Sequence, residues 1–451
     1  MYRKFLTLMI VMLLSVVFNL ANAESVPNAI AKTGINKSAI SISVQELNSG
    51  KKVYSLNSSR PLPPASTLKL VTYSASFDTL GKSFEYKTTM YKSANNDLYI
   101  KLSGDPMLTT KDLKTLFNTA KNKKITEPKN IYIDDSVFDN IEWGEGWQWD
   151  DALNPLMPKF SAYNLDYNLI DIVLKPTNQG APVEIFTEVF YPLAFMNLVT
   201  TSDRDSIVIT KGNKISPEMI NVEGFISKRK VLSIPVFNPS RYFKLRTEEA
   251  LKSQKIDYYK PLFVKNLPEN NIYKVEEISH NLDIVSDKIL KESNNFFAET
   301  IFKTAGAVSE NSKGSLNNSL TMLNKYLKKL NIDNSEVKIV DGSGVSKNNL
   351  VSAKFMTDFL VAKASMPDFN EFKNSLPKPG EGTLENRMLY FKDNLHAKTG
   401  TLSDISAIAG YITTQKGKNY AFDIMINDPK TSESAKKLAE EYILRAIYTS
   451  Y

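Results

Sequence analysis

Apolar and polar positions change period several times along the 451 residues, and each change marks an element. Residues 39–47 alternate as a strand with one buried face does, Asn48-Ser-Gly-Lys51 supplies turn residues, and a second alternation follows at Lys52–Leu56. The pair predicts a hairpin. A proline-rich approach, Pro61-Leu-Pro-Pro-Ala65, then leads to a helix predicted over 67–80, opened by Ser66 and stopped by Gly81. From about 84 to 275 the texture is β-like, with short runs at 88–91, 97–102, 130–133, 169–174, 206–209 and 231–235. Turn signals such as Gly104-Asp-Pro106, Asn178-Gln-Gly180 and Lys211-Gly-Asn213 separate these runs. This predicts a long insertion of one or two largely β domains, with a helix at about 248–254 near its end.

Helical periodicity returns from about residue 279. Helices are predicted at 282–291 and 296–304, flanking Ser293-Asn294-Asn295, and Leu316, Leu320, Leu323, Leu327 and Leu330 form a core-facing stripe. Residues 338–345 read as a strand entering a glycine-rich turn. Residues 394–402, 407–413 and 420–426 read as successive strands, and 432–448 as an amphipathic helix packed against them. There are no internal repeats and no low-complexity tract.

The first residues follow a different pattern. Arg3 and Lys4 precede an apolar run from Phe5 to about Leu20, and Ala21-Asn22-Ala23 has small residues at both positions a signal peptidase reads. The run is short for a membrane span of ~20 residues, so 1–23 is expected to be a signal peptide cleaved after Ala23, giving an exported, periplasmic protein. No later stretch is long and apolar enough to span a bilayer, so membrane association is at most peripheral. The chain has no cysteine, so its stability must come from a large packed core rather than from cross-links, and thiol catalysis is excluded. The length suggests two or three domains. The formal charge is +7, or +5 once Arg3 and Lys4 are removed. Apart from Lys228-Arg229-Lys230 the basic residues are dispersed, which argues against nucleic acid and fits mild attraction to an anionic polymer such as cell wall.

Histidine narrows the chemistry. His280 and His396 are the only two, so a multi-histidine metal site is impossible and no metal or cofactor is expected. His280 lies in what reads as a helix approach, suited to capping or surface duty, and His396 precedes a strand and reads as structural. A serine hydrolase built from this chain would therefore use lysine as its base. Ser66-Thr67-Leu68-Lys69 offers one: residues three apart on a helix are neighbours at ~5–6 Å between Cβ atoms, and a neutral lysine can take a serine's proton. At the start of the helix, Ser66 also meets backbone N–H groups that favour developing negative charge. The spacing alone is weak, since it recurs at Ser227/Lys230, Ser375/Lys378 and Ser434/Lys437, and Ser66 by itself reads equally well as an N-cap.

Three short motifs occur in order: Ser66-x-x-Lys69, Ser293-x-Asn295 and Lys398-Thr399-Gly400-Thr401. Each has a decoy in this chain, at Lys32–Gly34 and Ser315–Asn317 for the last two, yet the chosen three sit at a helix start, between helices and on a strand. That trio is the signature of penicillin-binding proteins and serine β-lactamases. Gly104-Asp-Pro106, Asp134-Asp135-Ser136, Trp147-Gln-Trp-Asp-Asp151, Asn238-Pro239, Ser293-Asn-Asn-Phe-Phe-Ala-Glu299 and Asp341-Gly-Ser-Gly-Val-Ser346 extend the likeness. Together they resemble the D-alanyl-D-alanine carboxypeptidase/endopeptidase family of class C low-molecular-mass penicillin-binding proteins (peptidase family S13), over nearly the whole mature chain. The long interval between Ser66 and Ser293 fits that family, which carries two nested insert domains there.

The resemblance implies an α/β (α+β) fold: a transpeptidase domain, an antiparallel sheet flanked by helices, at 24–83 and 276–451. The first insert would occupy 84–165 and 238–275, and the second, also largely β, 166–237. It implies a serine DD-peptidase acting on peptidoglycan stem peptides and inhibited covalently by β-lactams. Ser66 would be the acylated nucleophile and Lys69 its base, which requires a pKa well below the free value near 10.4. Ser293 would pass the proton to the leaving amine, and Asn295 would hold the substrate amide or Lys69. Lys398, Thr399 and Thr401 would meet the terminal carboxylate, Gly400 would allow close backbone approach, and the oxyanion hole would be the N–H groups of Ser66 and Thr401. Asp150, with Trp147, is the candidate for the free amino end of the stem peptide, with a turn or capping role equally open. Asp341-Gly-Ser-Gly344 is read as a structural turn beside the site. Two alternatives remain on sequence: a serine β-lactamase, with Glu381 as a conceivable deacylating base, and a catalytically idle wall-binding scaffold.

Overall fold

The structure is a computed structural model that describes residues 24–212, 218–258 and 261–451. The expected signal peptide, its cleavage point and the Asn213 end of one expected turn lie outside the described residues. The chain divides into two compact units: the residues up to Leu68 with Lys329–Lys338 and Asn349–Tyr451, and Lys69–Lys328 with Ile339–Asn348.

In chain order, α1 (Val26–Lys32) leads into the expected hairpin of β1 (Ile40–Glu46) and β2 (Lys52–Leu56). A 3-10 turn (Ala65–Leu68) then runs directly into α2 (Lys69–Leu80), and Gly81 ends the helix at φ +75°. Next come β3 (Glu85–Ser93), β4 (Leu98–Lys101), α3 (Thr110–Asn122) and β5 (Ile131–Asp134). Helix α3 was not legible as a separate element among the β-like runs. It starts on a full capping box between Thr109 and Asp112 and buries Leu113, Leu116, Phe117 and Ala120. It is the crossover that a parallel β4–β5 pair requires.

The following strands are β6 (Leu169–Lys175), β7 (Glu184–Thr187), β8 (Ala194–Thr201), β9 (Ser206–Lys211), β10 (Met219–Ile226) and β11 (Lys230–Pro235). Helix α4 (Pro239–Gln254) is more than twice the expected length, because Asn238 caps it at Arg241 N and Pro239 fills its first position. Two strands, β12 (Phe263–Val264) and β13 (Ile272–Asn281), follow. The helix expected at 282–291 forms over its later part: after a turn at Asp283–Ile284, residues 285–291 are helical, π-helical over Asp287–Lys291, before Ser293 turns to φ +60°. The chain continues through α5 (Asn295–Glu310), α6 (Leu316–Lys329), α7 (Ala353–Ala364) and α8 (Phe369–Ser375) to β14 (Leu395–Leu402), β15 (Ile405–Thr413), β16 (Asn419–Asn427) and α9 (Glu433–Ser450). Of the strand expected to run into a glycine-rich turn over 338–345, the strand is absent, with Lys338 making one isolated bridge to Leu350, while the residues after it do form a buried turn.

In the first unit, five strands pair antiparallel in the order β14-β15-β16-β1-β2. One face carries Ile40, Ile42, Val44, Ala397, Ile408, Phe422 and Ile424 into a core completed by α1 and α9. The other face packs on α7: Ser43 Oγ and Gln45 Nε2 meet Thr357 Oγ1 at 2.7 and 2.9 Å, and Tyr411 donates to Leu360 O at 3.0 Å. Lys398 is one residue out of phase with Ala397 and so belongs to this second face. Gly410 stands opposite Ala397, and a Cβ there would lie 2.2 Å from His396 O. Gly410→Ala is therefore expected to push β15 off β14 and cost about 3 kcal/mol or more. A denaturant midpoint equal to wild type would contradict that reading.

In the second unit a five-stranded sheet, β12-β5-β4-β3-β13, is joined by two three-stranded sheets, β8-β10-β9 and β11-β6-β7. One continuous apolar cluster runs through all of them, from Met90, Leu98 and Ile133 to Val199, Ile220, Phe243 and Val275. This extended core takes the place of disulfides in a chain without cysteine. Helix α2 packs along α5 in the same unit. That pairing sets Lys69 beside Asn295.

Candidate active site

Each unit carries part of the candidate set: Ser66 and Lys398–Thr401 in the first, Lys69, Ser293 and Asn295 in the second. Ser66 sits in the 3-10 turn rather than in an α-helix, and in such a turn positions i and i+3 line up. Ala65, just before it, is held at φ +49°, and Ser293 at φ +60°. Left-handed conformations at non-glycine residues cost ~1–3 kcal/mol each and persist where the surroundings impose them. Both lie at candidate motifs.

Lys69 is wholly buried. Its Nζ donates to Asn295 Oδ1 and to the carbonyl of Ser343, each at 2.7 Å. Asn295 is fixed in turn, donating through Nδ2 to Leu156 O at 2.9 Å. Burial pulls the Lys69 ammonium down to about 7, against the opposing pull of Asp341 and Glu299. A neutral amine has two N–H bonds and one lone pair. With two N–H bonds directed at Asn295 and Ser343, the lone pair lies along a remaining tetrahedral direction, as a base requires.

The Asn294 side chain accepts from Phe297 N at 3.0 Å and caps α5. The middle residue of Ser-Asn-Asn is thus a helix cap, a duty that asparagine and aspartate perform equally well. The Asp341–Gly344 turn beside Lys69 is organised by two buried carboxylates. Glu299 accepts from Gly342 N at 3.0 Å and from Ser343 N at 2.8 Å, while Asp341 accepts from Gly344 N and Ser346 N at 2.7 Å. Trp147 donates its indole N–H to Asp341 Oδ2 at 2.9 Å. Burial, and then the charge of Asp341, hold the Glu299 carboxyl above the usual carboxylate range.

In the first unit Lys398 is fully buried and donates to Thr399 O at 2.8 Å. Thr399 donates to Thr383 Oγ1 at 2.8 Å, and Thr401 is exposed at the end of β14. Gly400 meets the start of the Ser66 turn: a Cβ there would stand 2.9 Å from Pro64 O, Ala65 Cβ and Ser66 N. Only glycine lets the strand backbone approach the Ser66 N–H so closely. Asp150 lies in the 3-10 turn Trp149–Leu153.

Sequence reading missed Glu299, the Ser343 carbonyl and Thr383. Glu299 was detectable, standing four residues after Asn295 on one helix face; the other two depend on tertiary placement. His280 is corrected: it lies at the end of β13, not at a helix approach, and its Nδ1 meets Asp105 Oδ2 at 2.6 Å. That bond raises its pKa. A raised folded-state pKa gives stability that is present below the unfolded value and lost as pH rises through the folded one. His280→Ala should therefore destabilise more at pH 5.5 than at pH 8.5, and equal melting-temperature losses at the two pH values would count against the pair. His396, buried in β14, is held down to about 4 by burial and by Lys373 and Lys378, so it stays neutral.

Other motif residues anchor turns: Asp134 accepts from Ser136 N and Leu267 N, and Asp135 from the Tyr163 hydroxyl. A sequence model of the D-Ala-D-Ala carboxypeptidase 3 (S13) family matches residues 22–446. The chain belongs to this family. As an S13 protein it is an enzyme, and it is similar to the D-alanyl-D-alanine carboxypeptidase of Actinomadura sp. (strain R39), 26% identical over 414 residues, 85% of this chain and 77% of that one. It is also similar to the D-alanyl-D-alanine carboxypeptidase DacB of Haemophilus influenzae, 24% identical over 417 residues, 87% of this chain and 86% of that one. The crystal structure of penicillin binding protein 4 (dacB) from H. influenzae matches with a TM-score of 0.81 at 24% identity, covering 91% of this chain and 96% of that chain. The structure of that protein complexed with a β-lactam matches with a TM-score of 0.76. The S13 chain thus has the expected fold class, a penicillin-binding fold with additional domains. Among the described residues no helix is long and apolar enough to cross a membrane.

Proposed function

We propose that this S13 enzyme is a serine DD-peptidase that opens the terminal D-Ala–D-Ala bond, and the D-Ala–diaminopimelate cross-link, of peptidoglycan through an ester on Ser66. The observation that carries the reading is the buried, depressed Lys69, with its N–H bonds directed at Asn295 and Ser343, three residues after a serine that opens a helical stretch. Ser66 Oγ attacks the penultimate D-Ala carbonyl as Lys69 takes its proton, and the peptide bond breaks. The proton passes by way of Ser293 to the leaving D-Ala amine, and water then hydrolyses the ester. Lys398, Thr399 and Thr401 meet the substrate carboxylate, and the N–H groups of Ser66 and Thr401 hold the oxyanion, donors of a kind worth ~3–4 kcal/mol each. Asp150 is proposed to receive the amino end of a stem peptide. β-Lactams acylate the same serine, and the protein acts in the periplasm after loss of residues 1–23.

The nested domain partition is proposed as well. Its support is that one sheet takes strands only from 40–56 and 395–427, another from 85–134 and 263–281, and the two smaller sheets from 169–235. Since β13 continues across residues 275 and 276, with a bulge at Val275, the return boundary is placed after Asn281. One experiment tests the function: incubation with a fluorescent penicillin and with a stem peptide ending in D-Ala-D-Ala. Stable label on Ser66 with D-Ala release is expected. Rapid loss of label without peptide cleavage would indicate a β-lactamase, and no label at all a scaffold.

A further inference from the structure

We propose that Glu299 is the positioning residue for Lys69: its carboxylate ties down the Asp341–Gly344 turn so that the Ser343 carbonyl faces Nζ, and its charge, with that of Asp341, favours the ammonium form of that amine. The inference rests on the reading of Lys69 as the base for Ser66. Both oxygens of Glu299 lie 3.0 Å from Gly342 N, and one is also 2.8 Å from Ser343 N. The peptide unit that Glu299 grips is therefore continuous with the carbonyl that accepts from Lys69 at 2.7 Å. Asn295, the other acceptor of Lys69, stands one turn earlier on the same helix, α5. A single helix thus fixes both N–H directions of the amine, one directly and one through the turn. None of the proposed chemical steps uses Glu299, yet this carboxyl group is only 4% exposed, an expensive group to bury without a task.

Behind the pair Glu299 and Asp341 lies a cavity of about 380 Å³, walled by Phe160 and Phe302 and faced by Lys303, Asp139 and Glu145. Lys303 is held by Asp139 Oδ1 at 2.5 Å and by Ile141 O at 2.7 Å. The charged groups facing Glu299 are therefore Lys69 from α2, Asp341 from the turn, Lys303 from its own helix, and Asp139 and Glu145 across the cavity. Glu299 raises the affinity of Lys69 for its proton. Removing the charge while keeping the acceptor oxygen should lower it.

Glu299→Gln and Glu299→Asp test this, with the rate of Ser66 acylation by fluorescent penicillin followed from pH 5 to 9. In E299Q the acidic limb of the acylation rate should move to lower pH by about one unit or more, with the melting temperature close to wild type. In E299D, where the charge is kept on a side chain one carbon shorter, the limb should stay in place while the rate falls about tenfold at every pH. A purely structural Glu299 would lower melting temperature and rate in parallel and leave both limbs unmoved, which overturns the proposal. Should E299Q not fold, a wild-type acylation rate in E299D would overturn it equally. Wild-type enzyme that takes no label removes the underlying reading and this inference together, whereas label with an unmoved limb in E299Q removes only this one.

Discussion

Ser66→Ala enzyme takes up no fluorescent penicillin and releases D-Ala from a stem peptide at least about ten-thousandfold more slowly than wild type, as expected when an acylating nucleophile is lost. Its melting temperature stays within about a degree, because the Ser66 side chain is only partly buried and the turn around it is fixed by neighbours. Thr67 donates to Pro64 O at 2.7 Å, and Leu68 and Ala65 are buried apolar anchors. Mass spectrometry after incubation with the drug is the direct check. An adduct that persists in Ser66→Ala would move the nucleophile elsewhere, with Ser293 the first alternative to map.

Lys69→Met should separate catalysis from stability in opposite directions. Loss of the base is expected to slow acylation about a thousandfold. The stability effect follows from linkage. Lys69 binds its proton less tightly folded, at about 7, than in an unfolded chain near 10.4, so between those values the unfolded state holds the extra proton and stability rises with pH. Below about 7 the folded protein carries the full cost of a buried ammonium, on the order of 5 kcal/mol. Methionine removes that cost and in exchange leaves Asn295 Oδ1 and Ser343 O without their donor, a loss of ~1–3 kcal/mol each. Relative to wild type, the variant should therefore be more favoured at pH 6.5 than at pH 9.5, by roughly 3 kcal/mol. Urea midpoints at the two pH values measure this, and a difference that does not change with pH would sink the assignment of a depressed Lys69. The same depression places the acidic limb of wild-type acylation near pH 7, with a tenfold loss for each unit below it.

How much of this was legible in the sequence depended on whether local rules or tertiary contacts decide a residue's place. Strands such as Lys52–Leu56 and Leu169–Lys175 show period-two patterns, and the structure keeps them within a residue or so of expectation. Helix α3 escaped notice because its residues lie between two strands of similar composition, and only its crossover role demands a helix there. The stretch before Ser293 is apolar enough to look helical over ten residues. The long pairing of β13 with β3 takes up the chain as far as Asn281, and after a turn at Asp283–Ile284 the helical stretch is confined to 285–291. The candidate site followed the same division. Ser66, Lys69, Ser293 and Lys398 were readable from short motifs, whereas Ser343 acts through a backbone carbonyl, which no side-chain pattern announces.

On the proposed mechanism, Gly400 has a consequence for how the enzyme would evolve under antibiotic pressure. Three atoms stand 2.9 Å from the place a Cβ would occupy, two of them backbone atoms of the Ser66 turn that cannot rotate away. Any replacement wedges the strand from the turn, so acylation by substrate and by β-lactam would suffer together. Resistance to β-lactams cannot be selected cheaply at this position. It would have to arise at side chains with room to change shape, such as the exposed Thr401 on β14 and the half-buried Thr383 that pairs with Thr399.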